Sequence, residues 1–129
     1  ERVRADTKLA RFVAIFGELH QRRPGLSAMM LREAISGGRW LDPALLPNMR
    51  RIFEVVQAIV AQGVAEGTFR DVDPLFMHHT VIGCLAFFFA AKPLRDRMIT
   101  GGVMPTPPPD PQKFVAHVQE LLARGLAKE

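Results

Sequence analysis

The sequence predicts an all-α domain, and three features of its 129 residues support that fold class. Apolar residues recur every three to four positions through several stretches, which is the period of a helix with one buried face. No stretch of useful length alternates between apolar and polar residues, as a half-buried strand does. Asp-Pro pairs stand at three places where a helix can start, with Asp as the cap and Pro as the first residue. We therefore predict a single helical bundle of about five main helices.

The first predicted helix covers about residues 2–21 and ends at Pro24-Gly25. Its N-terminal end has no clear capping residue, so the helix is expected to begin before Glu1. Five positions at helical spacing form its apolar stripe: Leu9, Phe12, Val13, Phe16 and either Leu19 or His20. One face of this helix is therefore expected to lie in the core.

The second predicted helix, "LSAMMLREAIS", covers about residues 26–36 and stops at Gly37-Gly38. Leu, Met and Ala fill most of it, so we expect it to be mostly buried. Glu33 needs a partner in such surroundings, because an isolated buried carboxylate costs several kcal/mol. A structural ion pair or a contact with another domain is favoured over a catalytic acid, since no second carboxylate or nucleophile is placed beside it.

The third predicted helix begins at Asp42-Pro43 and runs to about residue 66, and a break near Pro47 is left open. The stretch "EGTFRDVDPLF" follows at residues 66–76. Gly67 suits the left-handed turn just past a helix end, where Phe69 supplies the usual apolar contact. Asp73 then caps the next helix. The stretch is interpreted as a tight connection between two packed helices.

The fourth predicted helix covers about residues 74–91 and contains the apolar run "VIGCLAFFFAA". Eleven residues are far fewer than the roughly 20 that cross a bilayer, so the run is interpreted as a fully buried helix rather than a membrane segment. Residues 94–100 form a short separate turn, and the Gly- and Pro-rich stretch after them is expected to be an exposed loop. The last helix starts at Asp110-Pro111 and ends near residue 127.

Composition narrows the functional classes. The net charge is +4, but the basic residues are scattered and form no block of five or six, which favours solvated helix faces over a nucleic-acid surface. The single cysteine, Cys84, excludes an internal disulfide and favours a reducing, cytoplasmic setting. His78 and His79 point about 100° apart on a helix and do not suit one metal ion. One is expected to line a cavity or interface and the other to reach solvent.

No catalytic motif is present in the sequence. It contains no Gly-rich phosphate loop, no Cys-x-x-Cys pair and no serine elbow. We therefore predict no catalytic residues, no metal site, no cofactor and no enzymatic activity.

The order of the segments adds a resemblance. The first segment is an amphipathic helix. It is followed by an apolar helix, "LSAMMLREAISGG", then by a long helix ending "VVQAIVAQGVAEGTFRDVDP", and then by a strongly apolar helix. This resembles the C-terminal regulatory domain of TetR-family transcriptional repressors, in which the segments matching Leu31–Glu33, Gly63–Pro74 and Ile82-Gly83 recur. The resemblance covers nearly the whole chain. It implies a bacterial regulator whose residues 1–129 dimerise and bind a small ligand, while DNA is contacted by an N-terminal helix-turn-helix region that this sequence lacks.

The predicted dimer uses the last two helices. The fourth helix is apolar almost all round from Thr80 to Ala91, so it needs cover from its own domain and from a partner. The last helix has an apolar stripe of its own, and two helices from each subunit would form a four-helix bundle. The candidate interface residues are Thr80, Gly83, Phe87, Phe114, His117, Val118 and Leu121.

The predicted ligand site lies between the first four helices. Met and aromatic side chains commonly line pockets for apolar ligands. We expect an apolar or amphipathic effector, with Gln57 and His78 as its polar contacts, in an enclosed volume of roughly 300 Å³ or more. The candidate residues are Phe12, Phe16, Met30, Trp40, Phe53, Val56, Gln57, Met77 and His78.

Two alternatives remain. The same residues could be plain core in a helical oligomerisation module without a ligand. A small enzyme is the third reading, and it would need polar groups clustered around a pocket. If the resemblance holds, the effector shifts the first helix and changes the spacing of the DNA-reading heads, which in a dimer must match half-sites about one DNA turn apart.

Overall fold

The computed structural model describes residues 2–129, and the predicted all-α class is confirmed. Glu1, which the predicted domain 1–129 includes, lies outside the described residues. The elements are α1 (Ala5–Arg22), α2 (Leu26–Ile35), a 3-10 turn (Pro43–Leu45), α3 (Leu46–Glu66), α4 (Pro74–Ala90), α5 (Lys92–Thr100) and α6 (Pro111–Leu126).

The structure has one helix more than the five predicted, because α5 is a full helix rather than a short turn. Its axis is bent by 52° from that of α4. Pro93 has no N–H to continue the hydrogen-bond ladder of α4, so the chain changes direction there. An ion pair of 2.6 Å between Lys92 Nζ and Asp96 Oδ2 spans the first turn of the new helix. Such an i, i+4 pair contributes a few tenths of a kcal/mol.

Each Asp-Pro pair caps an element, as predicted. The aspartate carboxylate accepts a hydrogen bond from the backbone N–H two residues later, and proline occupies the first position. Pro47 is the second residue of α3, so the break that was left open falls before it, in the 3-10 turn. The capping bonds join Asp42 to Ala44 (2.9 Å), Asp73 to Leu75 (2.8 Å) and Asp110 to Gln112 (2.9 Å).

Helix α4 is the centre of the bundle and contacts each of the other five helices. The core lies where α1, α3, α4 and α6 meet. Its largest fully buried side chains come from three of these helices, and they are Leu85, Val13, Val56 and Val81. α1 runs antiparallel to α6, since Gln119 in the middle of α6 donates a 2.8 Å hydrogen bond to the carbonyl oxygen of Ala10, while Val115, one turn earlier in α6, faces Gly17.

Two burial predictions are wrong. α2 was expected to be mostly buried, but Ser27 is its only buried residue, because the helix packs chiefly on α4 and leaves its other sides to solvent. α4 was expected to be fully buried, but Phe87 on it is 65% exposed. The five other helices cover only part of its circumference.

The connection between α3 and α4 has the predicted form. Gly67 has a φ of 78°, the left-handed conformation that ends α3. The N–H groups of Thr68 and Phe69 both donate to the carbonyl oxygen of Gly63, at 2.9 and 3.0 Å. Phe69 is buried, and its ring lies directly over Gly63. A further hydrogen bond of 2.8 Å runs from the N–H of Arg70 to the carbonyl oxygen of Leu126, so the connection also holds the end of α6.

Replacing Gly63 with alanine is expected to destabilise the fold. The new Cβ would overlap the ring of Phe69, which is held in the core and cannot move without a shift of the connection. Overpacking of this kind costs roughly 1–3 kcal/mol. Urea unfolding of the wild type and the variant measures the difference.

Gly125→Ala is the matched control. Gly125 lies in α6 with open space around its Cβ direction, so alanine there should leave the free energy of unfolding unchanged or raise it by up to about 1 kcal/mol. Equal stability of Gly63→Ala and the wild type would show that Phe69 does not restrict Gly63.

Candidate functional site

An aromatic row runs along one side of α1 and meets α4 at its end. Phe12 and Phe16 stack with ring centroids 6.1 Å apart. The edge of the next ring, His20, meets Phe16 at 4.6 Å. Phe89 of α4 lies parallel to the other side of His20 at 5.6 Å, with 13° between the planes. His20 is therefore enclosed by two phenylalanines, one from its own helix and one from α4.

His20 is the most unusual polar residue in this arrangement. It is only 2% exposed, and among residues 2–129 neither Nδ1 nor Nε2 has a hydrogen-bond partner. An unsatisfied buried polar group costs about 1–3 kcal/mol. Burial also lowers the pKa of His20 below its usual value of 6.5, so the ring is neutral at pH 7. The sequence analysis missed this residue as a site, although a polar side chain in an apolar stripe is a usable signal.

A second histidine lies on the same side of α4. The ring of His78 meets Phe53 of α3 edge to face, with centroids 5.5 Å apart. Its Nδ1 is buried and has no partner among the described residues. Burial, and then the charge of His79, lower the pKa of His78. His78 precedes Phe89, the α4 residue that His20 contacts, by three helical turns. His78 and Phe89 therefore lie on one side of α4, about 16 Å apart along its axis.

Most of the predicted ligand residues lie in or against the core. Phe16, Val56 and Met77 belong to the core cluster, and Phe12 and Met30 pack on it. Phe53 and His78 form the pair described above. Two candidates lie apart from this group: Trp40 is 77% exposed in the loop after α2, and Gln57 is also exposed on α3.

The two concavities that can be described lie elsewhere. One, of about 40 Å³, is bordered by α1, α6 and Phe69. The other, of about 520 Å³, is an open depression between α1 and the start of α6, lined by Ala14, Glu18, Gln21, Arg22, Gln112 and Val115. Neither is lined by any of the nine predicted ligand residues. In this conformation an effector of drug size therefore needs a movement of side chains or of a helix to reach them.

Helix α4 presents an exposed face that is largely apolar. Phe76 is 69% exposed and Phe87 is 65% exposed at its two ends. The polar groups between them are satisfied by the helix itself: Thr80 Oγ1 donates to the carbonyl oxygen of Phe76 at 2.8 Å, and His79 Nδ1 lies 2.9 Å from that of Leu75. The α4 face consists of Phe76, His79, Thr80, Gly83, Cys84 and Phe87, at spacings of three and four residues.

Helix α6 continues this exposed face. Leu121 and His117 are exposed, and Phe114 is half-buried. Phe114 stacks on Phe88 of α4 at 3.9 Å and 3°, which fixes the two helices side by side. The predicted interface residue Val118 needs correction. It is only 4% exposed and belongs to the core, because it is turned about 100° from His117 on the helix.

A hydrogen-bonded clamp ties the start of α1 to the end of α3. Gln62 Nε2 donates to the carbonyl oxygen of Val3 at 2.8 Å, and Lys8 Nζ donates to Gln62 Oε1 at 2.7 Å. The N–H of Ala5 donates to Glu66 Oε2 at 3.2 Å. The hydrogen bond from Gln62, followed by that from Ala5, lowers the pKa of Glu66. The same helix that carries Phe53 thus holds the N-terminal end of α1.

Comparison with known proteins identifies the family. A family model described as "Tetracyclin repressor-like, C-terminal domain" matches residues 6–107, well over half of the chain. The chain belongs to the tetracycline repressor-like C-terminal domain family. No curated protein and no solved structure matches the chain.

The TetR-like domain shows no arrangement for metal chemistry in the part of the chain that the structure describes. No three His, Cys, Asp or Glu side chains within residues 2–129 are close enough to hold a metal ion. Glu33, for which the sequence analysis expected an ion pair, makes none within these residues, and its Oε2 is buried without a partner.

The helices of the described residues can be compared with the length and composition that a membrane span requires. No single helix is long and apolar enough to cross a membrane, and only α4 and α5 taken together, across their 52° bend, reach the required length and composition.

The TetR-like domain is expected to lose stability below about pH 6.5 in a way that depends on His20. Because its folded pKa lies below the value of 6.5 for an exposed histidine, the unfolded chain takes up a proton that the folded chain does not. The free energy of unfolding therefore decreases as the pH falls below 6.5. His20→Phe removes this contribution, so its stability relative to the wild type should be greater at pH 5.5 than at pH 7.5, as measured by urea unfolding.

Ala58→Leu serves as the control, since Ala58 is exposed on α3 and the change adds or removes no titrating group, so the pH profile of the wild type should be unchanged. Part of the slope should persist in His20→Phe, because the pKa of His78 is lowered too. Parallel profiles for His20→Phe and the wild type would contradict the buried, neutral state of His20.

Proposed function

We propose that this chain is the effector-binding and dimerisation domain of a TetR-family repressor. The family match supports a regulatory domain of such a regulator. The observation that carries the dimer is the exposed α4 face, which presents two phenylalanines more than 60% exposed. The observation that carries the effector site is the aromatic row of α1 with its unpartnered histidine.

The α4 face suits a protein partner for two physical reasons. Burying an exposed phenylalanine side chain gains roughly 1.5–3 kcal/mol. Burial of Phe76 and Phe87 on each subunit would therefore favour association substantially. Thr80 Oγ1 and His79 Nδ1 already have hydrogen-bond partners in their own helix, so burial leaves these two atoms satisfied. With Phe114, His117 and Leu121 of α6 beside it, the face gives each subunit two helices for a two-fold four-helix bundle.

The clamp at the end of α3 supports a route from effector to DNA. An effector at the aromatic row contacts α1 directly, and Gln62 and Glu66 join the start of that helix to α3. Movement of α1 would then change the spacing of two helix-turn-helix heads outside residues 1–129, and with it the fit to operator half-sites. The effector thus biases two arrangements of one helix, which is the physical content of the proposed repression switch.

Gly83→Leu is expected to break the dimer without harming the subunit. Nothing lies within 4 Å of the Cβ position at Gly83, so the monomer has room for the side chain, and leucine favours a helix more than glycine does. In the dimer the same side chain would separate two closely packed helices. Light scattering at micromolar concentration should show a dimer for the wild type and a monomer of about 14.4 kDa for the variant.

Ala58→Leu is the matched control, because Ala58 is exposed on α3, away from the α4 face, and the variant should remain a dimer. A monomeric wild type, or a dimeric Gly83→Leu, would contradict the proposed interface.

Native mass spectrometry tests the effector half of the proposal. The domain purified from a bacterial host is expected to carry an apolar or amphipathic passenger molecule in part of the population, released on denaturation. A helical oligomerisation module without a ligand is the second candidate, favoured by the interlocked packing of the predicted pocket residues. A dimer that never carries a passenger, and that no apolar probe stabilises against heat, would favour that second candidate.

A further inference from the structure

We propose that His20 is the polar recognition point of the effector site and that the effector is an aromatic molecule carrying a hydroxyl group. The proposal rests on the effector-binding role proposed above and adds to it a residue and a chemical class. It is carried by the environment of one buried side chain between α1 and α4.

The position of His20 favours an apolar residue on packing grounds alone. Its ring fits between Phe16 and Phe89 as another phenylalanine would, and it lies in the stripe that α1 presents to the core. The protein nevertheless has an imidazole there, and residues 2–129 supply no partner to either nitrogen. Buried polar groups are nearly always hydrogen-bonded in working proteins, so a partner from outside the chain is the physical expectation.

The chemistry of the imidazole selects the partner. A neutral imidazole has one N–H donor and one nitrogen acceptor. A hydroxyl group can donate to the acceptor or accept from the donor, so it complements whichever nitrogen faces it. Burial lowers the pKa of His20, so its ring offers an anionic group no charge of its own, and its two aromatic neighbours are both phenylalanines. The flanking rings suit an aromatic body by stacked and edge-to-face contacts.

Helix α2 follows the end of α1 that carries His20, and few of its residues are buried. α2 begins three residues after α1 ends, so its first turn lies next to the end of α1. Only Ser27 of α2 is buried, and the helix is bounded by Gly25 with a φ of 97° and Gly37 with a φ of 77°. No atoms crowd these two glycines. A displacement of α2 about these glycines, rather than of the helices that hold the core, would admit the effector.

His78 is a half-buried histidine on this side of α4 and provides the internal comparison. Only its Nδ1 is unpartnered and buried, and it is the less enclosed of the two side chains. His78 and Phe89, the α4 residue that His20 contacts, lie about 16 Å apart along the helix axis, and this distance exceeds the length of a two-ring molecule. A probe of that size can reach His20 or His78, but not both.

The test compares 2-naphthol with 2-methylnaphthalene, which has the same rings but a methyl group in place of the hydroxyl. Both are titrated into the full chain labelled with ¹⁵N at histidine and followed by NMR. The wild type should bind 2-naphthol at least tenfold more tightly, with a shift of the His20 ring nitrogens. His20→Phe should bind the two probes with equal affinity, while His78→Phe should keep the wild-type preference.

Several results would overturn the proposal. Equal affinities for the two probes in the wild type, a shift at His78 with none at His20, or an unchanged preference in His20→Phe would each do so. If His20→Phe does not fold, two other measurements decide instead. One is the shift of the ring nitrogens in the wild type. The other is the variant His20→Gln, which keeps a donor and an acceptor group and should retain the preference for 2-naphthol. Failure of both probes to bind overturns the chemical class, and a passenger seen by native mass spectrometry would then show that the effector role itself stands.

Discussion

Helix α4 is apolar around most of its circumference, and the rest of the bundle packs around it. Val81 and Leu85 are fully buried at its centre, and all five other helices contact it. Burial of its apolar side chains stabilises the bundle, because exposed apolar area costs free energy in proportion to its extent. Even so, five helices do not cover it completely. The α4 face remains exposed from Phe76 to Phe87, and it is the surface proposed above for a second subunit.

The same constraint explains where polar groups become costly. α1, α2, α3 and α4 pack around apolar side chains, so any imidazole or carboxylate among them loses water without a guaranteed replacement. His20, His78 and Glu33 each have a buried atom with no partner within the described residues. Natural cores tolerate few unpartnered buried polar groups. Those of His20, His78 and Glu33 all lie in helices packed around α4 or in α4 itself. Between α1 and α6, by contrast, the side chain of Gln119 donates to a backbone carbonyl oxygen.

Much of the fold could be predicted from local signals. The three Asp-Pro caps, the left-handed Gly67 and the buried Phe69 depend only on neighbours within a few residues, and all are found as expected. Errors arose where the outcome depends on distant elements. α2 has the composition of a buried helix, yet only α4 covers it to any extent. Trp40 has the side chain of a pocket residue but lies in a loop that no helix covers.

The sequence by itself determined the helical class, the starts of α4 and α6 and the family, because capping, periodicity and the Gly-x-Phe to Asp-Pro connection are local properties of the chain. The first helix was expected to begin before Glu1, and this is wrong: α1 begins at Ala5, where no side chain caps it. Only the tertiary structure decided which side of each helix is covered. It buried Val118 in the core, left Leu121 exposed, and enclosed His20 between Phe16 and Phe89. The physical reason is that burial depends on the neighbouring helices, and periodicity along one helix shows which residues share a face but not what covers that face.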